Sequence, residues 1–261
     1  MIIPDRSLIR FLKYLKDSLV YIRSDLHYRL RSIFPTKLIA GVRLSINDDD
    51  VLSRDLVMSV LQGGYENLEN RVIRNNLSSN ERVLELGTGI AFNAIAAARI
   101  NGNKVLSYEL NSGLQKIILK NQELNRVRFE VRNKMLVCNL QTTGPTEFYV
   151  ARNACMSSTV SDQLPGFELL EKRKVSTESF ETVLAEWRPE FLIVDIEGGE
   201  LALFECCEVL RNSSVNKILL EIHAAIIGKK AADDLLDRIR HAGFSIIKDQ
   251  CVDEVFFFKR R

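Results

Sequence analysis

The stretch VLELGTGIAFNA, residues 83–94, decides how the rest of the sequence folds. Its first four residues are typical of a short buried strand, its glycines of a tight turn, and its small apolar residues of a helix. Phe92 stands where a dinucleotide-binding turn has its third glycine, and no Gly-Lys-Ser/Thr follows to make a phosphate-binding loop. The remaining pattern, ExGxGxA at residues 85–91, therefore favours a ligand that lacks a pyrophosphate but approaches the backbone closely.

The next acidic residue at a predicted strand end is Glu109, which follows Glu85 by 24 positions. In open α/β folds, an acidic residue roughly 20 positions beyond the glycine turn binds ribose hydroxyls. A carboxylate suits this role because its two oxygens accept hydrogen bonds from neighbouring hydroxyl groups. The spacing predicts a nucleoside site; the alternative is a plain strand-to-helix turn with a solvated Glu109.

Strand-like and helix-like segments alternate from residue 81 onward. The predicted strands are RVLEL, KVLSYEL, RVRFEV, FLIVDI and KILLEIH, and the predicted helices cover 90–100, 112–124, 199–211 and 229–242. FSIIKD and EVFFFKR are typical of an antiparallel terminal pair. The pattern predicts an α/β, Rossmann-like, doubly wound and mostly parallel sheet with an antiparallel C-terminal strand. Residues 140–188 are predicted to form a partly irregular insertion near the site.

Two acidic segments follow later strands of this alternation. In IVDIEGGE, Asp195 and Glu197 are two positions apart, so in an extended chain their side chains point the same way. In LLEIH, Glu221 and His223 are also two apart. Because ligands bind beyond the carboxyl ends of strands in open sheets, we expect these residues to share one rim with the glycine turn. His223 or Asp195 is the predicted general base, Glu197 would orient a ligand, and Glu200 is interpreted as a helix-start carboxylate.

These motifs are similar to those of class I S-adenosylmethionine-dependent methyltransferases. VLELGTGIAFNAIAAA, VLSYELN and KNQELN resemble the first motifs of that class, and FLIVDIEGGELALF with ILLEIH resembles the more specific blocks of the FkbM-type family. The resemblance extends from about Gly41 to the C-terminus. It implies methyl transfer from S-adenosyl-L-methionine, usually to a hydroxyl oxygen of a sugar or natural product.

The sequence departs from the family pattern at three places. Ala91 stands where the glycine loop usually has a third glycine, and Asn111-Ser112 replaces the usual proline-containing turn. Ile193 stands where many members have a lysine, so this chain does without that lysine or belongs to another subgroup.

The residues and the resemblance together predict one combined site. The cofactor-binding residues are predicted to be Tyr65, Glu66, Glu85, Gly87, Thr88, Gly89, Glu109, Leu110, Asn133 and Asp195, and the catalytic residues Asp195, Glu197 and His223. Ser157 and Ser158 are further candidates for contact with the acceptor. A Mg²⁺ or Mn²⁺ site on the later acidic residues and His223 is a less favoured alternative, because spacing by two is not a metal signature.

Composition limits the partners and the compartment. The formal net charge of +2 gives no reason to expect a nucleic-acid partner. The resemblance to the FkbM-type family implies a small-molecule or glycan acceptor. The five cysteines lack metal-ligand spacing, which predicts reduced thiols in a cytoplasmic protein. We find neither a signal peptide nor an apolar run of about 18 residues that would span a membrane.

The N-terminal residues form a separate unit. Apolar residues recur at spacings of three and four over residues 6–34, with Lys and Arg on much of the other face, which predicts an amphipathic helix. We divide the chain into this extension (1–37) and one domain (38–261). The sequence leaves three roles open for this helix: it covers the domain, lies on a membrane surface, or forms the contact of a homo-oligomer. A non-catalytic cofactor-binding module docked through this helix is the alternative function, and an NAD-dependent oxidoreductase is disfavoured by Phe92 and the DIEGGE block.

Overall fold

The computed structural model describes residues 6–48, 50–138, 146–151 and 169–261. The helices are α1 Arg6–Arg29, α2 Arg54–Gln62, α3 Asn67–Asn76, α4 Phe92–Asn101, α5 Gln115–Asn125, α6 Phe180–Trp187, α7 Glu200–Leu203, α8 Glu208–Arg211, α9 Ala224–Ile227 and α10 Lys229–His241. The strands are β1 Thr36–Ile39, β2 Val42–Ser45, β3 Val83–Leu86, β4 Val105–Tyr108, β5 Glu130–Arg132, β6 Met135–Val137, β7 Thr146–Ala151, β8 Leu169–Val175, β9 Thr177–Ser179, β10 Phe191–Val194, β11 Lys217–Glu221, β12 Phe244–Ile246 and β13 Val255–Arg260.

A seven-stranded sheet in the order β12-β13-β11-β10-β3-β4-β5 forms the centre of the fold. The five strands from β11 to β5 in that order are parallel, whereas β13 runs antiparallel to β11 and β12 antiparallel to β13. The predicted doubly wound sheet with an antiparallel C-terminal strand is therefore confirmed. Since the parallel strands end at one edge, the residues that follow them meet there.

Both faces of the sheet are buried, which explains why the strands read as continuous apolar runs. Successive residues of β3 point to opposite faces: Val83 packs with α2 to α5, and Leu84 packs with α6 and α10. The alanine-rich α4 approaches the sheet closely because its side chains are small, and eight of its ten residues, Phe92 to Ala98 and Asn101, are buried.

The region before the sheet consists of a strand pair and two helices. Strands β1 and β2 form an antiparallel hairpin, and Ser53 caps the start of α2, because its side chain accepts a hydrogen bond from Leu56 N. Gly63 ends α2 in the left-handed conformation with φ +78°.

The described parts of the insertion at residues 140–188 contain regular elements. Strands β7 and β8 form an antiparallel pair, β9 pairs in parallel with β6, and α6 follows directly. The strand pair buries one short row, Phe148, Val150 and Val175, against Leu110 and Met135, which gives the sequence only a weak strand signal. Ser157 and Ser158 lie outside the described residues.

The predicted helix over 199–211 is also interrupted. It consists of α7 and α8, separated by a 3₁₀ turn over Phe204–Cys206. Cys206 forms a disulfide with Cys138 at the end of β6, with Cα atoms 5.5 Å apart. The expectation of reduced thiols is therefore wrong for this pair; the 68-residue separation left no local spacing by which to recognise it.

The extension contains the predicted helix, α1, but this helix does not cover the domain with its apolar face. Leu19, Ile22 and Leu26 are more than half exposed, whereas Ser24 on the other side is buried. Among the described residues, no helix is long and apolar enough to cross a membrane.

Candidate active site

The glycine turn that follows β3 is shaped by the neighbouring strand. Gly87 has φ +86°, and a Cβ atom placed on it would lie 1.5 Å from the carbonyl oxygen of Asp195. Asp195 N also donates a hydrogen bond to Leu86 O at 2.9 Å. Only glycine fits at position 87, therefore, because the ends of β3 and β10 touch there.

The second glycine is less restricted by its neighbours. A Cβ on Gly89 would lie 3.2 Å from the Tyr65 hydroxyl, a side-chain atom, and would meet no backbone atom. Ala91 also has a positive φ, 70°, so the residue that replaces the family's third glycine adopts a backbone conformation that glycine favours. Gly87 and Gly89 both line the cavity, so the backbone of the turn is accessible to a ligand there.

Glu85 and Thr88 lie beneath the turn rather than in the cavity above it. A single oxygen of Glu85, Oε2, accepts hydrogen bonds from Thr88 Oγ1 and Ser107 Oγ, both at 2.8 Å. Burial raises the pKa of Glu85 to about 7. Both predicted cofactor-binding residues thus brace the turn from below, and neither lines the cavity.

Glu109, at the end of β4, is held by backbone amides and borders the cavity. Its Oε2 accepts a hydrogen bond from Gly89 N at 2.8 Å, and its Oε1 accepts one from Asn111 N at 2.7 Å. Burial raises the pKa of Glu109 to about 7. Each carboxylate oxygen keeps a further lone pair, so Glu109 retains the capacity to accept from a ligand.

Leu110 and Asn133 stand on either side of Glu109 and have different roles. Leu110 lines the cavity. The Asn133 side-chain amide donates to the carbonyl oxygens of Glu109 and Leu110 at 2.7 and 2.8 Å, and Asn133 does not line the cavity. The Asn133 side chain therefore stabilises the backbone at the end of β4, which positions Glu109.

Tyr65 and Glu66, between α2 and α3, close the cavity from the other side. Glu66 Oε2 accepts a hydrogen bond from Asn93 Nδ2 at 2.7 Å, and the Tyr65 ring packs against Phe92. Burial raises the pKa of Glu66 well above its usual range. Both side chains line the cavity.

An imidazole surrounded by carboxylates occupies the opposite part of the rim. His223 Nδ1 lies 2.8 Å from Glu200 Oε1, and His223 Nε2 lies 3.3 Å from Glu197 Oε2 and 3.6 Å from Asp195 Oδ1. Glu200 is fully buried and also accepts a hydrogen bond from Gly198 N at 3.0 Å. Glu200 is therefore more than a helix-start carboxylate, since it fixes the orientation of the imidazole.

Burial and neighbouring charges shift the pKa values of His223, Glu197 and Asp195. Burial alone would lower the pKa of His223, but the hydrogen bond to Glu200 and the charges of Glu197 and Asp195 outweigh it and raise the pKa to about 10. Burial raises the pKa of Glu197 to about 7, although the charge of His223 opposes that shift. Burial and the charge of Glu221 raise the pKa of Asp195 well above its usual range.

Asp195, Glu197 and His223 could also hold a cation. Each offers one ligand atom, and these atoms lie within 4.8 Å of one another. In the structure, however, the imidazole already lies between the two carboxylates, and a metal ion would have to replace its proton.

One cavity of about 540 Å³ lies at the carboxyl ends of the parallel strands. That volume suits a small organic ligand. The predicted site residues that line it are Tyr65, Glu66, Gly87, Gly89, Glu109, Leu110, Asp195 and Glu197, whereas His223 lies behind the two carboxylates and does not line it. The carboxylate side chains that line it are Glu66, Glu69, Glu109, Asp195, Glu197, Glu221, Asp253 and Glu254, with Lys134 as the one lysine among the described lining residues. Glu69, Asp253 and Glu254 were missed in the sequence because α3 and the β12–β13 connection carry no recognisable motif.

Comparison with known proteins gives one family. A family model described as a methyltransferase FkbM domain matches residues 76–246, which is more than half of the chain. No curated protein matches the sequence.

Several solved structures are distantly similar. Ribosomal protein L11 methylase from Lactobacillus delbrueckii subsp. bulgaricus is 12% identical over 76% of this chain and 79% of its own, with a TM-score of 0.45. Precorrin-6y C5,15-methyltransferase from Geobacter metallireducens is 13% identical over 82% of this chain and 93% of its own, with a TM-score of 0.43. With values this low, the family assignment depends on the family model alone.

Proposed function

The chain belongs to the FkbM methyltransferase family, and on that basis we propose that it transfers a methyl group from S-adenosyl-L-methionine to a hydroxyl oxygen of a saccharide or natural product. The observation that carries the proposal is the cavity that Gly89 and Glu109 line at one end and Asp195 and Glu197 line at the other, with His223 behind these two carboxylates. One half of this cavity suits a nucleoside and the other half suits proton transfer.

The residues of the first half fit the cofactor. The backbone at Gly89 is open to the cavity, Glu109 has the free acceptor capacity that ribose hydroxyls need, and Leu110 and Met135 supply apolar walls for a purine. Asp195 Oδ1 is buried and has no hydrogen-bond partner among the described residues, so it can accept from a bound ligand. S-adenosyl-L-methionine supplies an electrophilic methyl group when it is bound.

The second half supplies a base and a means of holding it. The raised pKa of His223 keeps the imidazole protonated at neutral pH, so we assign proton removal from the acceptor hydroxyl to Glu197 or Asp195. Glu197 has a pKa of about 7, close to the value at which a base is effective in neutral solution. Protonated His223, fixed by buried Glu200, then orients Glu197, whose Oε2 lies 3.3 Å from its Nε2.

The lining charges support a polyhydroxyl acceptor over an anionic one. Carboxylates accept hydrogen bonds from several hydroxyl groups, and the described residues around the cavity include eight of them against one lysine. Nucleic-acid binding depends on Lys and Arg contacts to phosphates, and among the described lining residues only Lys134 could make one. A nucleic-acid acceptor is thus disfavoured.

Transfer of an isotope-labelled methyl group tests the proposal. The protein is incubated with labelled S-adenosyl-L-methionine and a panel of saccharides and hydroxylated natural products, and mass spectrometry locates the label. We expect labelled O-methyl products with the wild type and not with Glu197→Gln/Asp195→Asn, and we expect EDTA to leave the rate unchanged. Loss of the rate with EDTA would establish the metal alternative, and S-adenosylhomocysteine binding without transfer to any acceptor would favour the non-catalytic module.

A further inference from the structure

Helix α1 carries an apolar stripe that faces away from the rest of the protein. Leu19, Ile22 and Leu26 are 67%, 63% and 57% exposed, and their spacing places them on one face of the helix. Ser24 and Tyr28, on the opposite face, are buried or packed against the core. The fold therefore holds α1 by one side and leaves its apolar side without a partner among the described residues.

Polar contacts fix this orientation. Asp25 accepts a hydrogen bond from Arg54 at the start of α2, with a distance of 2.9 Å, and the Arg54 guanidinium lies over the Tyr28 ring. Arg31 also stacks on Tyr28, 4.0 Å from the ring centre. Turning α1 to bury its apolar stripe would break these contacts, so the exposed stripe is a property of how the helix is attached.

The apolar surface continues beyond the helix. Ile33 and Phe34 are 67% and 56% exposed, and with Leu30 and Leu26 they line an open groove whose rim includes Arg23 and Arg43. Within α1, Tyr14 and Tyr21 are also largely exposed, but their spacing of seven from Tyr28 places them on the attached side of the helix, so they are not part of this apolar surface.

The charge of this segment selects the partner. Residues 6–34 contain seven Lys and Arg against two Asp, a net charge of +5, whereas the whole chain has +2. Two copies packed along α1 would bring two such cationic segments together, which disfavours a homo-oligomer. Exposed Lys16 and Arg23 border the apolar stripe, where they can meet anionic headgroups while the leucines enter the acyl boundary.

We propose that α1 and the following residues to Phe34 dock the protein on a membrane surface that contains anionic phospholipid. The helix lies in the plane of the interface, with Leu19, Ile22 and Leu26 inserted and Lys16 and Arg23 among the headgroups. Docking of this kind is independent of which acceptor the cavity takes.

Vesicle co-sedimentation of the full chain tests the proposal. We expect the wild type to bind vesicles of phosphatidylcholine mixed with phosphatidylserine, to bind phosphatidylcholine alone far more weakly, and to be released by added salt. Ile22→Glu should weaken binding at least about tenfold. The matched control Leu119→Glu changes a residue on α5 that is similarly exposed, at 53%, and should bind like the wild type. Lys16→Ala/Arg23→Ala should weaken binding roughly 25-fold.

Light scattering and thermal unfolding complete the design. Ile22→Glu replaces an exposed side chain, so its unfolding temperature should match that of Leu119→Glu and show that the loss is not misfolding. The proposal is overturned if Ile22→Glu binds vesicles as the wild type does. It is also overturned if the wild type does not bind the vesicles that contain phosphatidylserine. If the wild type is then a dimer that Ile22→Glu dissociates, a second copy covers the stripe instead.

Discussion

Replacing Gly87 by alanine tests whether the ends of β3 and β10 are as close as the structure shows. The added methyl carbon would lie 1.5 Å from the Asp195 carbonyl oxygen, where ordinary contact begins at 3.4 Å. The obstructing atom belongs to the backbone, so no side chain can turn aside. The two strand ends would have to separate by about 2 Å, and the hydrogen bond from Asp195 N to Leu86 O would be stretched or lost.

Three free-energy costs together give the expected destabilisation. A non-glycine residue at φ +86° costs about 1–2 kcal/mol, the overpacking about 1–3 kcal/mol, and the lost backbone hydrogen bond about 1 kcal/mol. We therefore expect Gly87→Ala to lower the free energy of unfolding by roughly 3–6 kcal/mol. Gly102→Ala is the matched control, because Gly102 has φ +68° and nothing within 4 Å of the added carbon. It should cost only about 1–2 kcal/mol.

Urea unfolding followed by fluorescence measures both variants. The single tryptophan, Trp187, donates its indole N–H to Val83 O at 3.0 Å and so reports on β3 directly. Equal destabilisation by Gly87→Ala and Gly102→Ala would refute the reasoning, since only the backbone conformation would then matter. A variant that folds should also bind S-adenosylhomocysteine more weakly, because the turn would be displaced from Asp195.

Three further results are expected. Glu109→Ala should weaken S-adenosylhomocysteine binding tenfold or more by calorimetry, since loss of a hydrogen bond to a charged group costs about 1.5–3 kcal/mol; an unchanged affinity would remove the ribose role. The value of kcat/KM should fall about tenfold per pH unit below pH 7, because the pKa of Glu197 is raised to about 7. A protonated carboxyl group cannot remove the proton from the hydroxyl that receives the methyl group. A flat profile from pH 5 to 7, about two units, would exclude Glu197 as the base. Glu200→Gln should lower the pKa of His223 in an NMR titration and reduce kcat more than it changes KM, whereas an unmoved titration would show that Glu200 does not position the imidazole.

The framework of the site could be predicted because its signals are local in sequence. Apolar strands followed by helices predicted the parallel sheet, and the rule that ligands bind at carboxyl strand ends placed Glu109, Asp195 and Glu197 on one rim. The structure brings these residues to a single cavity. The number of positions between a residue and the end of its predicted strand was therefore enough to predict that the residue lies on the rim.

What each side chain does at the rim was harder to predict, because it depends on contacts far apart in sequence. Glu85 and Asn133 occupy the expected places, but their polar atoms bond to Ser107 and to backbone carbonyls instead of lining the cavity. The role of Glu200 depends on His223, 23 positions later, and on its complete burial. The Cys138–Cys206 disulfide is likewise invisible without the fold that joins β6 to the turn after α7.

Calorimetric titration of the wild-type protein with S-adenosylhomocysteine, beside NADH, is the most direct test of the central claim. The glycine turn without a third glycine, the position of Glu109 and the cavity that joins them to Asp195 and Glu197 all favour an adenosine ligand without a pyrophosphate. We predict that S-adenosylhomocysteine binds one molecule per chain and that NADH produces no binding heat. Binding of NADH with no heat from S-adenosylhomocysteine would contradict the account.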